Sequence, residues 1–158
     1  MINTLVRRLL IIALLFTNSA LASALSVDDL LKEQQAPAGV VFEIISGRQD
    51  ELNRLLPELK KDIERLRTRF PDLSIAIVSH GQEQFALTSN NSQKAKVAHN
   101  LVKQLVNEDR IKVHVCETHA SWRGISAEDF PDYVDVSPTG PAQINDYLEL
   151  DYKLIVLP

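Results

Sequence analysis

The sequence predicts an α/β domain built on a mostly parallel sheet of about five strands, with helices on both faces. Short runs rich in β-branched residues alternate along the chain with amphipathic stretches, the order expected of βαβ units. The β-branched runs are mostly apolar, which is typical of strands buried on both faces. With 45% hydrophobic and 24% charged residues, the composition is that of an ordinary globular protein.

Residues 1–24 predict a cleavable signal peptide. Arg7 and Arg8 precede a short apolar run at 9–16, and two A-x-A cleavage signals follow within 20–24. The alternative is a membrane anchor, but the run is shorter than the roughly 20 residues that a spanning helix needs. We therefore expect an exported, periplasmic protein that has no membrane contact after cleavage.

The remaining chain is long enough for one compact domain, which we place at 39–158 after a helix and linker at 25–38. Loss of Arg7 and Arg8 changes the formal charge of −4 to −6. An acidic domain without a basic stripe argues against a nucleic-acid partner.

The amino-terminal half begins with a short helix at 27–34 that Ser26 caps, and Pro37 and Gly39 end it. A strand follows at 39–45. Residues 50–69 carry one apolar stripe at helical spacing, and their basic residues form a solvated face. Pro57 is expected to kink this helix or to reset its start.

The second half repeats this alternation of strands and helices. The predicted elements are a strand at 73–78, a polar loop at 82–92, a helix at 93–107, a strand at 111–116, a strand at 133–136, a helix at 138–150 and a strand at 153–157. The amphipathic pattern predicts that Val97 and Leu148 face inward.

Cys116, the only cysteine, ends the third predicted strand and precedes a polar loop. In an oxidising compartment a lone thiol is buried and inert, bonded to a small thiol or another chain, or retained for chemistry. The carboxyl ends of parallel strands are where open α/β sheets bind their ligands. The position of Cys116 therefore leaves both packing and reactivity open.

Three strand ends carry candidate groups that would share one cleft. They are Ser46-Gly47, His80-Gly81 and the run Cys116-Glu117-Thr118-His119. His80 or His119 would activate the thiol, and Gly81 would let its backbone approach a ligand or a thiolate. Each group also has a structural explanation, since buried cysteines and turn glycines are common.

A metal site is the main chemical alternative, because His114, Cys116 and His119 lie close in sequence. Their spacing matches no common zinc pattern, and His114 is one pleat deeper in the strand. The first strand is not followed by G-x-G-x-x-G, so the dinucleotide fingerprint is missing. We expect neither a metal nor another cofactor.

The order of these motifs resembles the DsrE/DsrF-like family over roughly residues 40–157. The matching segments are H80-G81, C116-E-T-H119, G124-I125, D129-F130, V134-D-V136, S137-P-T-G140, Y147-L148 and Y152-K-L-I155. The chain departs from the family at Glu149 and Asp151, where glutamine and glycine are usual.

The resemblance implies a small Rossmann-like three-layer domain that forms homo-oligomers, often trimers or hexamers, and is linked to sulfur metabolism. It places a persulfide on Cys116, with His80 nearby in the pocket, in an exported branch with a single cysteine. The sulfur would come from, and pass to, another protein or a small thiol. The alternative is a non-catalytic, ligand- or partner-binding oligomer in which Cys116 is structural, so enzymatic activity is left open.

Overall fold

The structure, a computed structural model, describes residues 24–157 and confirms the predicted fold class. Five parallel strands form one sheet in the order β4-β3-β2-β1-β5. The strands are β1 (Gly39–Ile44), β2 (Ile75–Ser79), β3 (Lys112–Cys116), β4 (Asp135–Ser137) and β5 (Tyr152–Leu157). The helices are α1 (Val27–Leu31), α2 (Leu52–Arg69), α3 (Lys96–Asn107), α4 (Glu117–Ser121) and α5 (Gly140–Glu149).

The topology brings every strand's carboxyl end to the same edge of the sheet. Strands β1 to β4 succeed one another outward, and β5 then pairs on the opposite side of β1. The polar residues that follow β1, β2 and β3 are consequently neighbours in space, as the sequence predicted.

The two faces of the sheet are covered unequally. Helices α1, α2 and α3 build the larger core on one face, where alternate strand residues such as Val40, Phe42 and Ile77 point. The opposite face packs mainly against α5, around a small cluster of Val41, Ala76, Val78 and Ile144. The second face, α5 and the strand ends enclose the candidate site.

Several local predictions were wrong. Pro57 does not reset the start of α2, which begins at Leu52, because the proline lies near the amino end of the helix and buried leucines hold the residues around it. Val97 is 54% exposed and Leu148 39% exposed, so neither faces inward.

The predicted polar loop at 82–92 is instead two 3₁₀ helices, Gln82–Leu87 and Ser89–Asn91. Residues 83–88 are buried, including Glu83 and Gln84. A polar loop was also predicted after Cys116, but this segment begins with the helix α4. These short helices place polar side chains under the sheet edge, where polar loops were predicted.

The predicted signal peptide lies in residues 1–24, almost wholly outside the described part of the chain. Within residues 24–157, no helix has the length and apolar character required to cross a bilayer.

Candidate functional site

A cleft of about 540 Å³ lies at the carboxyl edge of the sheet, between the ends of β1, β2 and β3 and the start of α5. It is lined by Ile45, Ser46, Gly47, His80, Gly81, Gln82, Cys116, Thr118, His119, Trp122, Thr139 and Pro141. Five of the six predicted site residues are therefore brought together. Glu117 is exposed and does not line the cleft.

Cys116 is the last residue of β3 and also the N-cap of α4. Its Sγ accepts a hydrogen bond from the backbone N–H of His119 at 3.4 Å, and the residue is 5% exposed. Its own N–H donates to Oε1 of the fully buried Gln84 at 2.8 Å. The thiol is thus held in one place by a backbone donor that a thiolate would accept more strongly.

His80 lies beside Cys116 on the face of the sheet that α5 covers. The β2–β3 register pairs Ser79 with Val115, and continuing it by one residue places His80 next to Cys116. The His80 N–H still donates to Ile44 O at 3.1 Å, so the residue extends the strand. Gly140 makes room for the ring, since a Cβ there would lie 2.5 Å from His80 Cβ.

A carboxylate orients the His80 ring. Nε2 of His80 lies 2.7 Å from Oε1 of Glu43 on β1, and both side chains are largely buried. A carboxylate only accepts, so Nε2 carries the proton, and in the neutral ring Nδ1 is left as an acceptor. Among residues 24–157, Nδ1 has no hydrogen-bond partner. His80 and Cys116 are therefore neighbours across two strands, and Glu43 contacts His80 diagonally from β1, two register positions back.

His119 is committed to other contacts and has no free lone pair. Arg123 donates to Oε1 of Gln82, so the Gln82 amide nitrogen faces Nε2 of His119 at 3.1 Å. Nδ1 of His119 donates to the His80 carbonyl at 2.8 Å. These bonds fix a neutral ring with Nε2 as an acceptor already in use. His80, rather than His119, is available to take a proton.

Glu83 is a fully buried carboxylate that ties the loops after β1 and β2 together. One oxygen accepts from the Ser46 N–H at 2.8 Å, and the other from Ser79 Oγ at 2.8 Å and the Gly81 N–H at 2.9 Å. The sequence predicted that the Gly81 backbone would approach a thiolate. Its N–H is already bonded to Glu83, so it is not available for that role. Packing requires a glycine at position 81, because a Cβ there would lie 2.3 Å from Glu83 Oε2.

His114 is one pleat deeper, as predicted, and both of its ring nitrogens are bonded. Nδ1 lies 3.0 Å from Ser137 Oγ, which donates to Gln143, and Nε2 lies 2.8 Å from the Tyr147 hydroxyl. Burial lowers the pKa of His114, while it raises the pKa of Tyr147 to about 12. Among residues 24–157, no cluster of three or more His, Cys, Asp or Glu side chains is arranged to hold a metal.

Four polar residues of the site were missed from the sequence: Glu43, Gln82, Glu83 and Gln84. Glu43 left a signal, since it is the one acid in the apolar run of β1. The other three gave none, because a stretch of polar residues is ordinarily a solvated loop.

A model of the DsrE/DsrF-like family matches residues 12–157. Among solved structures, the chain is similar to a protein of unknown function, MTH1491, from Methanobacterium thermoautotrophicum. That match has a TM-score of 0.58 and 16% identity, over 75% of this chain and 97% of that one. The ychN protein from E. coli matches with a TM-score of 0.49 and 16% identity, over 75% and 99% of the two chains. No curated protein matches significantly.

Proposed function

The chain belongs to the DsrE/DsrF-like family, which is related to sulfur metabolism, and from this premise we propose that it carries sulfur as a persulfide on Cys116. The family match spans nearly the whole chain, whereas the structural neighbour at 16% identity supports the fold alone. The role of each residue therefore rests on the geometry of the cleft.

The observation that carries the proposal is that His80, which Glu43 orients, lies beside Cys116 in the lining of the cleft. A carboxylate orients an imidazole, and the imidazole neighbours a thiol, which is the arrangement that activates cysteine nucleophiles. His80 removes the thiol proton, and the His119 N–H stabilises the resulting thiolate at 3.4 Å. Gly81, Thr118 and His119 complete the walls around the reacting sulfur.

The chemistry needs no external oxidant, because the sulfur arrives at the oxidation level of a sulfane. The Cys116 thiolate attacks the outer sulfur of a donor persulfide, R–S–SH, and a new S–S bond forms. The donor's S–S bond breaks, its inner sulfur leaves as a thiolate, and the proton on His80 neutralises it. The product is Cys116–S–SH, and the same exchange in reverse passes the sulfur to an acceptor.

A carrier fits the thiol content better than an enzyme that completes a redox cycle. The chain has one cysteine, so no second thiol in the same chain resolves the persulfide as a disulfide. The acceptor is then another protein or a small thiol.

We also propose that the carrier is exported and works in the periplasm. The support is in the sequence alone, where Arg7 and Arg8, the apolar run and the A-x-A signals stand in order. The mass of the protein recovered from a periplasmic extract tests this, since cleavage near residue 24 removes the leader. Full-length protein retained with the membranes would contradict it.

Self-association is the partner interaction that we propose for the chain. Leu148, Leu150 and Val156 are 39%, 63% and 42% exposed at the end of α5 and on the edge strand β5. Exposed apolar side chains beside an unpaired strand edge are typical of an interface.

A second function is favoured by one specific observation. Cys116 is 5% exposed and its Sγ already caps α4, which is a structural task. On this alternative, the protein is a non-catalytic oligomer that binds a small ligand or a partner, and Cys116 only supports the cleft.

Intact-mass measurement after treatment with an organic persulfide separates the two functions. The wild type is expected to gain one sulfur atom and to lose it to an added thiol, while Cys116→Ser gains none. Glu43→Gln removes the carboxylate behind His80 and should slow uptake by about 10²-fold or more. Absence of a sulfur adduct on the folded wild type would favour the structural alternative.

A further inference from the structure

The walls of the cleft carry no acidic side chain and no lysine or arginine, although 24% of the chain is charged. His80 is the one lining residue in an ion pair, and Glu43 balances any charge that it gains. Arg123 donates to the lining residue Gln82 from behind the lining, and no lysine or arginine side chain lines the cleft itself to meet a charged ligand.

The mouth of the cleft is apolar and open. Trp122 is 77% exposed and Ile45 is 47% exposed, and Pro141 lies with them along the lining. Trp122 packs against the His119 ring, with the two ring centroids 5.5 Å apart. Among the described residues, six large hydrophobic side chains are exposed, and two of them stand at this site. Such side chains favour the apolar body of a ligand.

We infer that the cleft binds a small organic thiol or persulfide whose body is uncharged and apolar. The inference rests on the proposed function, in which such a molecule donates sulfur to Cys116 or accepts it. A volume of about 540 Å³ is within the range of small-molecule sites. The apolar body packs between Trp122, Ile45 and Pro141, and its sulfur points to Cys116. A carboxylate on the ligand body would lose hydration against these apolar side chains without gaining a lysine or arginine in the lining.

Trp122 provides a direct reporter, because it is the only tryptophan of the protein. The probes are benzyl mercaptan and 4-(mercaptomethyl)benzoate, which differ by one carboxylate, titrated against Cys116→Ser so that no covalent step interferes. We expect a saturable fluorescence change with benzyl mercaptan and binding about ten-fold weaker or more with the benzoate. Equal affinity for the two probes would overturn the inference.

A matched pair of variants localises the binding. Ile45→Asp places a charge at the mouth and should weaken binding of benzyl mercaptan about ten-fold, whereas Val97→Asp, at an exposed apolar residue outside the lining and on the helix α3, should leave it unchanged. If both variants bind as well as the parent, the ligand occupies another surface. A fluorescence change that follows protein concentration and not ligand would show that a second copy of the chain fills the cleft, and would also overturn the inference.

Sulfur uptake by the wild type separates this inference from the proposed function. The sulfur donors are the persulfides of benzyl mercaptan and of 4-(mercaptomethyl)benzoate. We expect Cys116 to take up sulfur faster from the uncharged benzyl persulfide. Equal uptake from both contradicts the inference and leaves the carrier function standing. No uptake from either, with selective binding intact, contradicts the carrier function and leaves the ligand class standing.

Discussion

At the residue scale, the site depends on buried polar side chains that accept backbone donors. Glu83 and Gln84 are fully buried. Glu83 accepts from the Ser46 N–H in the loop after β1, and Gln84 accepts from the Cys116 N–H at the end of β3. A buried donor left unpaired costs about 1–3 kcal/mol. These side chains thereby fix the loops that hold His80 and Cys116.

Replacing Glu83 tests this dependence. In Glu83→Gln, either amide orientation sets an NH₂ group against a backbone donor, the Ser46 N–H or the Gly81 N–H. We expect the free energy of unfolding to fall by about 1–3 kcal/mol in urea titrations. The control Glu117→Gln, at an exposed position, should stay within about 0.5 kcal/mol. Equal stability of the two variants would contradict the role given to Glu83.

Gly140 tests the placement of His80. In Gly140→Ala, the new Cβ would lie 2.5 Å from His80 Cβ and must displace the ring. Sulfur uptake by Cys116 should slow by about ten-fold or more, because the base moves away from the thiol. Gly47→Ala is the control, since a Cβ there has no atom within 4 Å. Unchanged uptake in Gly140→Ala would show that the position of His80 does not matter.

At the element scale, α5 is attached to the sheet by polar contacts as much as by apolar ones. His114 on β3 bonds the Tyr147 hydroxyl, and Ser137 on β4 donates to Gln143, both on α5. Thr139 caps the helix by accepting from the Ala142 N–H at 3.1 Å. The cap is worth about 1 kcal/mol.

Substitution of that cap is a simple test of this attachment. Thr139→Ala should lower the free energy of unfolding by about 1 kcal/mol, and Thr139→Ser, which keeps the hydroxyl, should restore most of it. Denaturant titration measures both. If the serine variant is as unstable as the alanine variant, the lost methyl packing and not the cap explains the change.

His114 makes the attachment of α5 sensitive to acid. Burial lowers its pKa below the ordinary value of 6.5, Asp135 opposes the shift and Lys112 adds to it. The unfolded chain then binds the proton more readily than the folded one, so stability falls as the pH drops below about 6.5. In His114→Gln, the free energy of unfolding should depend less on pH between about 7 and 5. An unchanged pH dependence would assign the effect to other groups.

The sequence predicted elements well where apolar pattern and burial coincide. Every strand was located within two residues. The central strands β1 to β3 are buried along almost their whole length, and the partly buried edge strands β4 and β5 are marked by β-branched residues. Helical period alone does not tell which part of a helix is covered, so Val97 and Leu148 were misplaced. The short helices escaped prediction because one or two turns carry too few residues to show a period.

The sequence predicted which residues share the site but not the residues that orient them. The topology of parallel strands brought His80, Gly81 and Cys116 to one edge, as expected. The partners that orient them come from other elements, such as Glu43 on β1 behind His80. The hydrogen-bond partners of these side chains depend on the register between the strands, and a single sequence does not give that register.

At the scale of the whole molecule, the uneven covering of the sheet gives the proposed self-association a specific surface to test. The face that α5 covers has the smaller core, and Leu150 and Val156 remain exposed near it. Replacing both by lysine should shift sedimentation toward a smaller species, because charge is costly in an apolar interface. The control Val97→Lys, on α3, should sediment as the wild type does. A double variant that assembles normally would place the interface elsewhere.

The central claim is that Cys116 is a nucleophile reached through its cleft, and alkylation of the folded protein tests it most directly. The rate of labelling by a small uncharged reagent would be followed by intact mass in native buffer and in urea. We predict labelling in native buffer at a rate that falls in His80→Asn, since His80 takes the thiol proton. Labelling only after the protein unfolds would contradict the claim and make Cys116 a packed residue.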